Sequence, residues 1–443
     1  MKTDEICDTA ISSCLKLGAN DVVVTVMKKE ESMVRFANDQ VTVVNSLDEL
    51  SASIFLCVGR RKAALNVVDL DKKGLEKACQ QAVRIASNMP EASLYAPLPK
   101  GPFNYDRKLT ERETVPAGPD QAVHWVQESI SAAKKAGASR TAGSLTARNV
   151  TVHLATSGGA AGVTVHPSLE LSIRAFGEGL ASGHSLSVSV GEKGFDPSAA
   201  GREAGELAKA AKGPKKGEPG TMDAVLGPMV FADLIGEMGR FSSAFYVDAG
   251  MSFLTGKIGE QVASPKLDLY DDATDPTSVG ASPFDSEGLP TRRKALIEKG
   301  VLRTHLHNSA TAAKFGVNST ANAGLIAPRP FCLQVGAGEK DVEDIISQVD
   351  KGVYVTNDWY LRYQNYSTGD LSTIPRDALF LIEKGEITAS LKELRISDNI
   401  LGMMKRIEAL SRQRKWVKWW EVDVPTLVPT ALVTGTRFTA SSQ

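Results

Sequence analysis

No run of about 18 apolar residues occurs in the chain, so a membrane-spanning helix is not expected. The opening stretch MKTDEICDTAISS holds no apolar segment behind Lys2, so no secretory leader is expected either. Cysteine is scarce. The five are Cys7, Cys14, Cys57, Cys79 and Cys332, an odd number with no CxxC spacing. That argues against a disulfide framework and fits reduced, buried thiols in a cytoplasmic protein. Charge of either sign is not in excess: 51 basic side chains stand against 52 acidic ones. The basic field that nucleic acid demands is therefore missing. Histidine is nearly as scarce, with six residues in all.

The 443 residues suffice for two or three domains, and 42% of them are hydrophobic, enough for sizeable cores. Asp8 to Leu17 and Leu70 to Met89 carry apolar residues at helical spacing. Between them, DVVVTVMKKE, SMVRFANDQVTVVN, LSASIFLCVG and RRKAALNVVD read as strands, with a turn at Asn38-Asp39. The order then recurs: a helix over Gln121 to Ala138, four strand-like stretches, and a helix opened by Asp196 as N-cap and Pro197. Ile54 and Ile173 fall at matching places, 119 residues apart. The spacing predicts an α+β fold whose N-terminal domain (1–215) duplicates a helix–strands–helix unit, about 1–95 and 115–213. The linker KGPKKGEPG leads to a strand-rich C-terminal domain with antiparallel sheets (221–443). There, ALIEKGVL and FLIEKGEI predict hairpins turning at Lys299-Gly300 and Lys384-Gly385. Residues 338–352 and 399–413 read as helices.

Several residues could carry chemistry. His305 and His307 alternate, so on a strand they would share a face and could chelate a metal given a third ligand. Asp285 and Glu287, in PFDSEGLPTRR, could bind a cation, but that stretch also has the makings of a turn in which Asp285 bonds its own backbone. Ser242 and Ser243 have no histidine near in sequence to activate them. Lys405 to Trp420 interleaves basic residues with Trp416, Trp419 and Trp420, a pattern that suits single-stranded nucleic acid or a packed interface. In DLIGEMGR (Asp233 to Arg240), Phe231, Leu234, Ile235, Met238 and Phe241 form a core stripe on a helix begun by Pro228. Glu237 falls off the stripe, as a solvated residue would.

MSFLTGKIGEQVASPKLDLYDD, then DSEGLPTRRKALIEKGVLRTHLHN, then LFLIEKGEI, in that order, resemble the C-terminal half of the TldD/PmbA family, also known as modulators of DNA gyrase. The N-terminal half fits the family in length and arrangement. In the catalytic TldD branch, HExxxH lies about twenty residues before GKIGEQV; two histidines and a later cysteine hold zinc, and the glutamate is the general base. Zinc hydrolysis needs such a set: three protein ligands, an open position for water, and a base. Residues i and i+5 lie about 140° apart on a regular helix, so HExxxH needs a distorted turn, which a glycine permits. Counting back from Gly256-Lys257-Ile258-Gly259 puts that glycine on Gly239, the histidines on Ile235 and Arg240, and the glutamate on Gly236. The cysteine position falls near Arg376. The resemblance thus implies a TldE (PmbA) branch chain with no metal of its own: the non-catalytic subunit of a zinc metalloprotease acting on unfolded or extended peptides. The zinc would lie in a TldD-like catalytic subunit, its heterodimer partner, and Arg240 could line the substrate channel. A homodimer in isolation is equally compatible with a shared scaffold. Two other readings stay open: a stand-alone hydrolase with a relocated metal site using His305, His307 and the Asp285/Glu287 loop, and a regulatory or nucleic-acid-binding protein.

Overall fold

The computed structural model describes residues 1–441. In chain order the first part holds α1 (Thr3–Lys16), β1 (Asp21–Ala37), β2 (Gln40–Val58), β3 (Arg61–Val67), α2 (Lys72–Asn88), α3 (Arg107–Thr110), α4 (Pro119–Lys135), β4 (Arg140–Thr156), β5 (Ala161–Phe176), β6 (Ser182–Ser189) and α5 (Pro197–Ala210). Its six strands form one antiparallel sheet, β3-β2-β1-β4-β5-β6. The duplication is plain. An offset of 119 carries Asp21 onto Arg140 and Ala37 onto Thr156, the ends of β1 and β4. Glu30 opposes Asn149, its own equivalent, so the internal twofold passes through the centre of the sheet.

Side chains alternate across a strand, and both helix pairs use the same side. Val22, Val24 and Val26 bury against α1 and α2, while Val34 and Phe36 bury with Trp125, Val126 and Ala204 of α4 and α5. Val23 and Leu154 point the other way, toward Phe284 of the second part. The α4–α5 crossing is close because glycine makes it so. A Cβ on Gly201 would lie 2.1 Å from the Ser129 carbonyl oxygen. Gly201→Ala is expected to lower the unfolding free energy by about 1–3 kcal/mol, read by urea unfolding, since backbone cannot yield as a flexible side chain can.

The strands are longer than the sequence suggests. SMVRFANDQVTVVN does not make two short strands of its own; it supplies the ends of the 17-residue β1 and 19-residue β2, turning at Asn38-Asp39 with φ of 51° and 65°. Such a pair of positive φ values matches the right-handed twist of the flanking strands.

The second part contains β7 (Lys215–Lys216), β8 (Gly220–Leu226), α6 (Pro228–Phe241), α7 (Ala244–Asp248), β9 (Leu269–Asp272), β10 (Arg293–Glu298), β11 (Val301–Leu302), α8 (Ser309–Phe315), β12 (Leu333–Val335), α9 (Val342–Ile346), β13 (Lys351–Val355), β14 (Asp358–Asn365), β15 (Asp370–Pro375), β16 (Leu379–Glu383), β17 (Glu386–Lys392), β18 (Leu394–Asn399), α10 (Ile400–Lys405), β19 (Ile407–Trp419) and β20 (Val422–Ala440). Ten strands run β11-β10-β9-β12-β20-β8-β13-β16-β17-β7, and β20 also pairs with β18 and β19. Both KG hairpins form as expected, at β10–β11 and β16–β17.

Two helices expected from the sequence form only in part. In 338–352 only Val342–Ile346 is helical, and β13 begins at Lys351, beside β8. In 399–413 the helix stops at Lys405, and β19 continues through the basic, tryptophan-rich stretch against β20. In the second place a partner strand overrides helical propensity. The two sheets are tied by Arg174 to Asp377 at 2.6 Å, Lys415 to Glu203 at 2.6 Å, and Lys418 to Glu170 at 2.8 Å. No helix among the described residues is long and apolar enough to cross a membrane.

Candidate functional site

Helix α6 starts at Pro228 and buries Phe231, Leu234, Ile235, Met238 and Phe241, the stripe its spacing predicts. Phe241 sits among the rings of Tyr246, Phe253, Tyr363 and Tyr366, with centroids 5.0–5.8 Å away. Asp233, Gly236, Glu237 and Arg240 fall on the opposite face, three to four residues apart.

That face is not solvated as expected. The Glu237 side chain is only 15% exposed, because β14 runs beside it and brings up Tyr363. Burial raises the Glu237 carboxyl above its ordinary range, and Arg240, 3.4 Å away, pulls it back. Asp233 meets Asp358 of β14. Both are buried, and Asp233 Oδ2 and Asp358 Oδ1 have no donor among the described residues. Burial pushes Asp233 well above the carboxylate range, with the charges of Asp358, Glu237 and Glu421 adding to it. Burial likewise pushes Asp358 up to about 8, against a 2.9 Å hydrogen bond from the Thr373 hydroxyl. Two buried carboxyls placed so favour the protonated form and titrate as a pair.

The positions matched to the zinc ligands have different surroundings. Ile235 lies in the core, and Gly236 faces open space where an added Cβ would touch nothing within 4 Å. Gly239 allows the Leu333 side chain close approach; a Cβ there would be 2.4 Å from it. Arg240 is half exposed, its guanidinium over the Phe241 and Tyr246 rings. Arg376 is exposed, with its guanidinium 4.8 Å above Trp359 of β14. Trp359 in turn meets Tyr360, Trp419 and Trp420. An isoleucine has no donor atom, and a guanidinium has no lone pair to give. These residues do not fit zinc, and among the described residues no three His, Cys, Asp or Glu side chains converge as metal ligands.

His305 and His307 are not on a regular strand. They flank Leu306, which bridges Ser243, and both are buried with an unpartnered Nδ1. Burial lowers His305 to about 4, with His307 beside it adding, so both rings stay neutral at physiological pH. The carboxylates proposed to join them are already engaged. Asp285 accepts backbone N–H groups from Glu287, Leu289 and Ala323, and Glu287 accepts from the Ser309 backbone and hydroxyl. The turn is what that acidic loop makes. Ser242 donates to the Met238 carbonyl and Ser243 to that of Pro328, so neither hydroxyl faces a base.

The Lys405–Trp420 stretch is no open basic face. Arg406 pairs with Asp398, Arg414 donates to the Val335 carbonyl, and Lys415 and Lys418 reach Glu203 of α5 and Glu170 of β5. Trp419 is buried, whereas Trp420 stands 53% exposed at the β19–β20 turn.

Fold and site together define a two-sheet α+β scaffold in which α6 carries the half-buried Glu237 and Arg240 beside the buried Asp233–Asp358 pair. The chain belongs to the TldD/PmbA family: residues 219–440 match the PmbA/TldA metallopeptidase C-terminal domain and residues 22–86 match PmbA/TldA metallopeptidase domain 1. It is 31% identical over 166 residues to a metalloprotease TldD homolog of Haemophilus influenzae, across 36% of this chain and 34% of that protein. It is 29% identical over 196 residues to a metalloprotease PmbA homolog of Buchnera aphidicola, across 42% of this chain and 41% of that one. The matched stretches thus span less than half of those relatives. In structure it is similar to TldE from Thermococcus kodakarensis, with a TM-score of 0.87, 18% identity, and coverage of 98% of this chain and 100% of that one. At that identity the likeness concerns the fold.

Proposed function

We propose that the chain is the non-catalytic, TldE/PmbA-like subunit of a zinc metalloprotease complex that degrades or processes unfolded peptides in the cytoplasm. The observation that carries this reading is the outer face of α6. Of the positions where the zinc ligands and base would stand, it carries Gly236 and Arg240, while Ile235 is turned into the core, and none of the three can bind the metal or take a proton from water. The zinc would belong to a TldD-like partner. This chain would enclose the cleft and present a half-exposed Arg240 to an acidic or C-terminal group of an extended peptide.

Mixing the purified chain with a TldD-type partner is expected to produce hydrolysis of an unstructured peptide that neither protein shows alone. A partner equally active without this chain overturns the reading. Arg240→Ala in the mixture is expected to raise KM several-fold with kcat little changed, since a channel contact contributes to binding and not to the bond-breaking step.

A further inference from the structure

Strands β14, β15, β18 and β20 carry two unlike faces. Directly opposed residues of antiparallel strands share a face. On one face Tyr363 opposes Leu371, and Ile396 opposes both Thr373 and Phe438. That side is buried or half-buried, and Tyr363 and Thr373 reach Glu237 and Asp358 of the site described above. On the other face Arg362 opposes Ser372, Ser372 opposes Ser397, and Arg395 opposes Thr439. Arg437 joins them, two residues before Thr439 and so on the same side of β20. A groove of about 590 Å³ opens there, lined by Ser372, Arg395, Ser397, Arg437 and Thr439 among others.

The groove is rich in donors and short of acceptors. Among the described residues none of the three arginines pairs with a carboxylate. Arg395 donates to the Ser372 hydroxyl at 3.1 Å, Arg362 donates to the Leu361 carbonyl, and the Arg437 guanidinium has no hydrogen-bond partner. The Ser372 proton has no acceptor there either. Ser397 and Thr439 bond each other at 2.7 Å, which leaves one of their two protons free. The acids at one end are already engaged. Asp370 accepts from Thr368 and from the Asn399 amide, and Asp398 pairs with Arg406 at 2.7 Å. Three guanidiniums thus stand against one acid without a cationic partner, Asp370.

We propose that this groove binds a small phosphate-bearing anion, inorganic phosphate or the phosphoryl group of a small ester, between Arg395 and Arg437. A guanidinium offers a planar fork that takes phosphate oxygens two at a time. Same-face neighbours lie about 7 Å apart along a strand and about 5 Å apart across two, so both forks reach one phosphoryl group. The Ser372 hydroxyl and the free proton of the Ser397–Thr439 pair serve its remaining oxygens. Arg362 adds positive potential from the β14 side. A nucleic-acid strand needs a basic track that follows its backbone, whereas Asp370 and Asp398 close one end of this groove.

The groove lies on the far side of these strands from α6, so its test needs neither a catalytic partner nor hydrolysis. Isothermal titration of the isolated chain with inorganic phosphate, against sodium chloride of equal ionic strength, is expected to show one saturable site with a dissociation constant below about 1 mM. Arg437→Gln is expected to weaken it at least about tenfold. That guanidinium touches no partner in the fold, so the melting temperature should stay as it is. Arg395→Lys is expected to lose less affinity than Arg395→Gln, since lysine keeps the charge without the fork. Arg84→Gln, exposed on α2, is expected to bind as the wild type does. No saturable heat up to about 10 mM phosphate, an affinity unmoved by Arg437→Gln and Arg395→Gln, or a loss shared by Arg84→Gln overturns the proposal. So does a chain that takes a single-stranded oligonucleotide but not phosphate.

Discussion

Asp271→Ala is expected to lower the unfolding free energy by about 3–5 kcal/mol, the cost of breaking a buried charged network from one side. Asp271 closes β9 and is fully buried. Its carboxylate takes four donors: Lys294 Nζ at 3.0 Å, Asn322 Nδ2 at 2.6 Å, and the backbone N–H groups of Phe331 at 2.8 Å and Cys332 at 3.0 Å. Alanine would leave a nearly buried ammonium and three further donors without an acceptor. For a protein of ordinary stability, about 5–15 kcal/mol, that is enough to populate the unfolded chain at physiological temperature. Urea unfolding should rank the wild type most stable, Asp271→Asn next and Asp271→Ala least, because the amide keeps an acceptor oxygen but loses the charge facing Lys294. A loss under about 1 kcal/mol in the alanine variant would mean the network does not hold β9 as described.

The second large effect is a fall in stability as pH rises. Asp233 and Asp358 retain a proton in the folded chain that ordinary carboxyls, near 3.9, release once unfolded. From about pH 4 to about 8, the folded state therefore binds more protons than the unfolded one, and its stability declines with each pH step through that window. The groups facing the pair are Glu237 from α6, Tyr363 from β14, Thr373 from β15 and Glu421 beside the β19–β20 turn, with Arg240 and Asp423 acting on Glu237 one step away. Acids outnumber the single arginine, so none of these neighbours reverses the sign. The melting temperature is expected to drop by several degrees between pH 5 and pH 8.5, and Asp358→Asn is expected to remove most of the slope. A wild-type profile that is flat or rising there would show that the pair is ionised in the folded protein.

Much of this fold was legible in the residues. The stripe of α6, the Asp196 cap and the two KG turns depend on local spacing and on positive φ, which a sequence displays directly. The duplication was legible from the order of the elements, though only the pairing of Glu30 with Asn149 reveals its axis. What failed was decided by distant partners. Ile407 to Trp419 has residues that suit a helix, but β20 lies alongside and draws it into a sheet. Glu237 looked solvated because its covering strand, β14, lies more than a hundred residues further on. Asp358 was missed for the same reason: an acid at the head of a strand carries no mark until Asp233 is seen beside it. Asp233 itself, one helical turn before Glu237, was the available hint.

The place of β20 in its sheet has a consequence for how the protein acquires its shape. β1 and β2 adjoin through a two-residue turn and can zip from there. β8, by contrast, lies between β13 and β20, with Leu226 opposite both Val355 and Ala431. The sheet that carries α6 cannot close until segments far apart along the chain have met. Such non-local closure is slow, and it leaves apolar strand edges waiting in the meantime. The N-terminal sheet is therefore expected to be the early-formed body, and the sheet bearing the candidate site the late one, more dependent on chaperones than the half that precedes it.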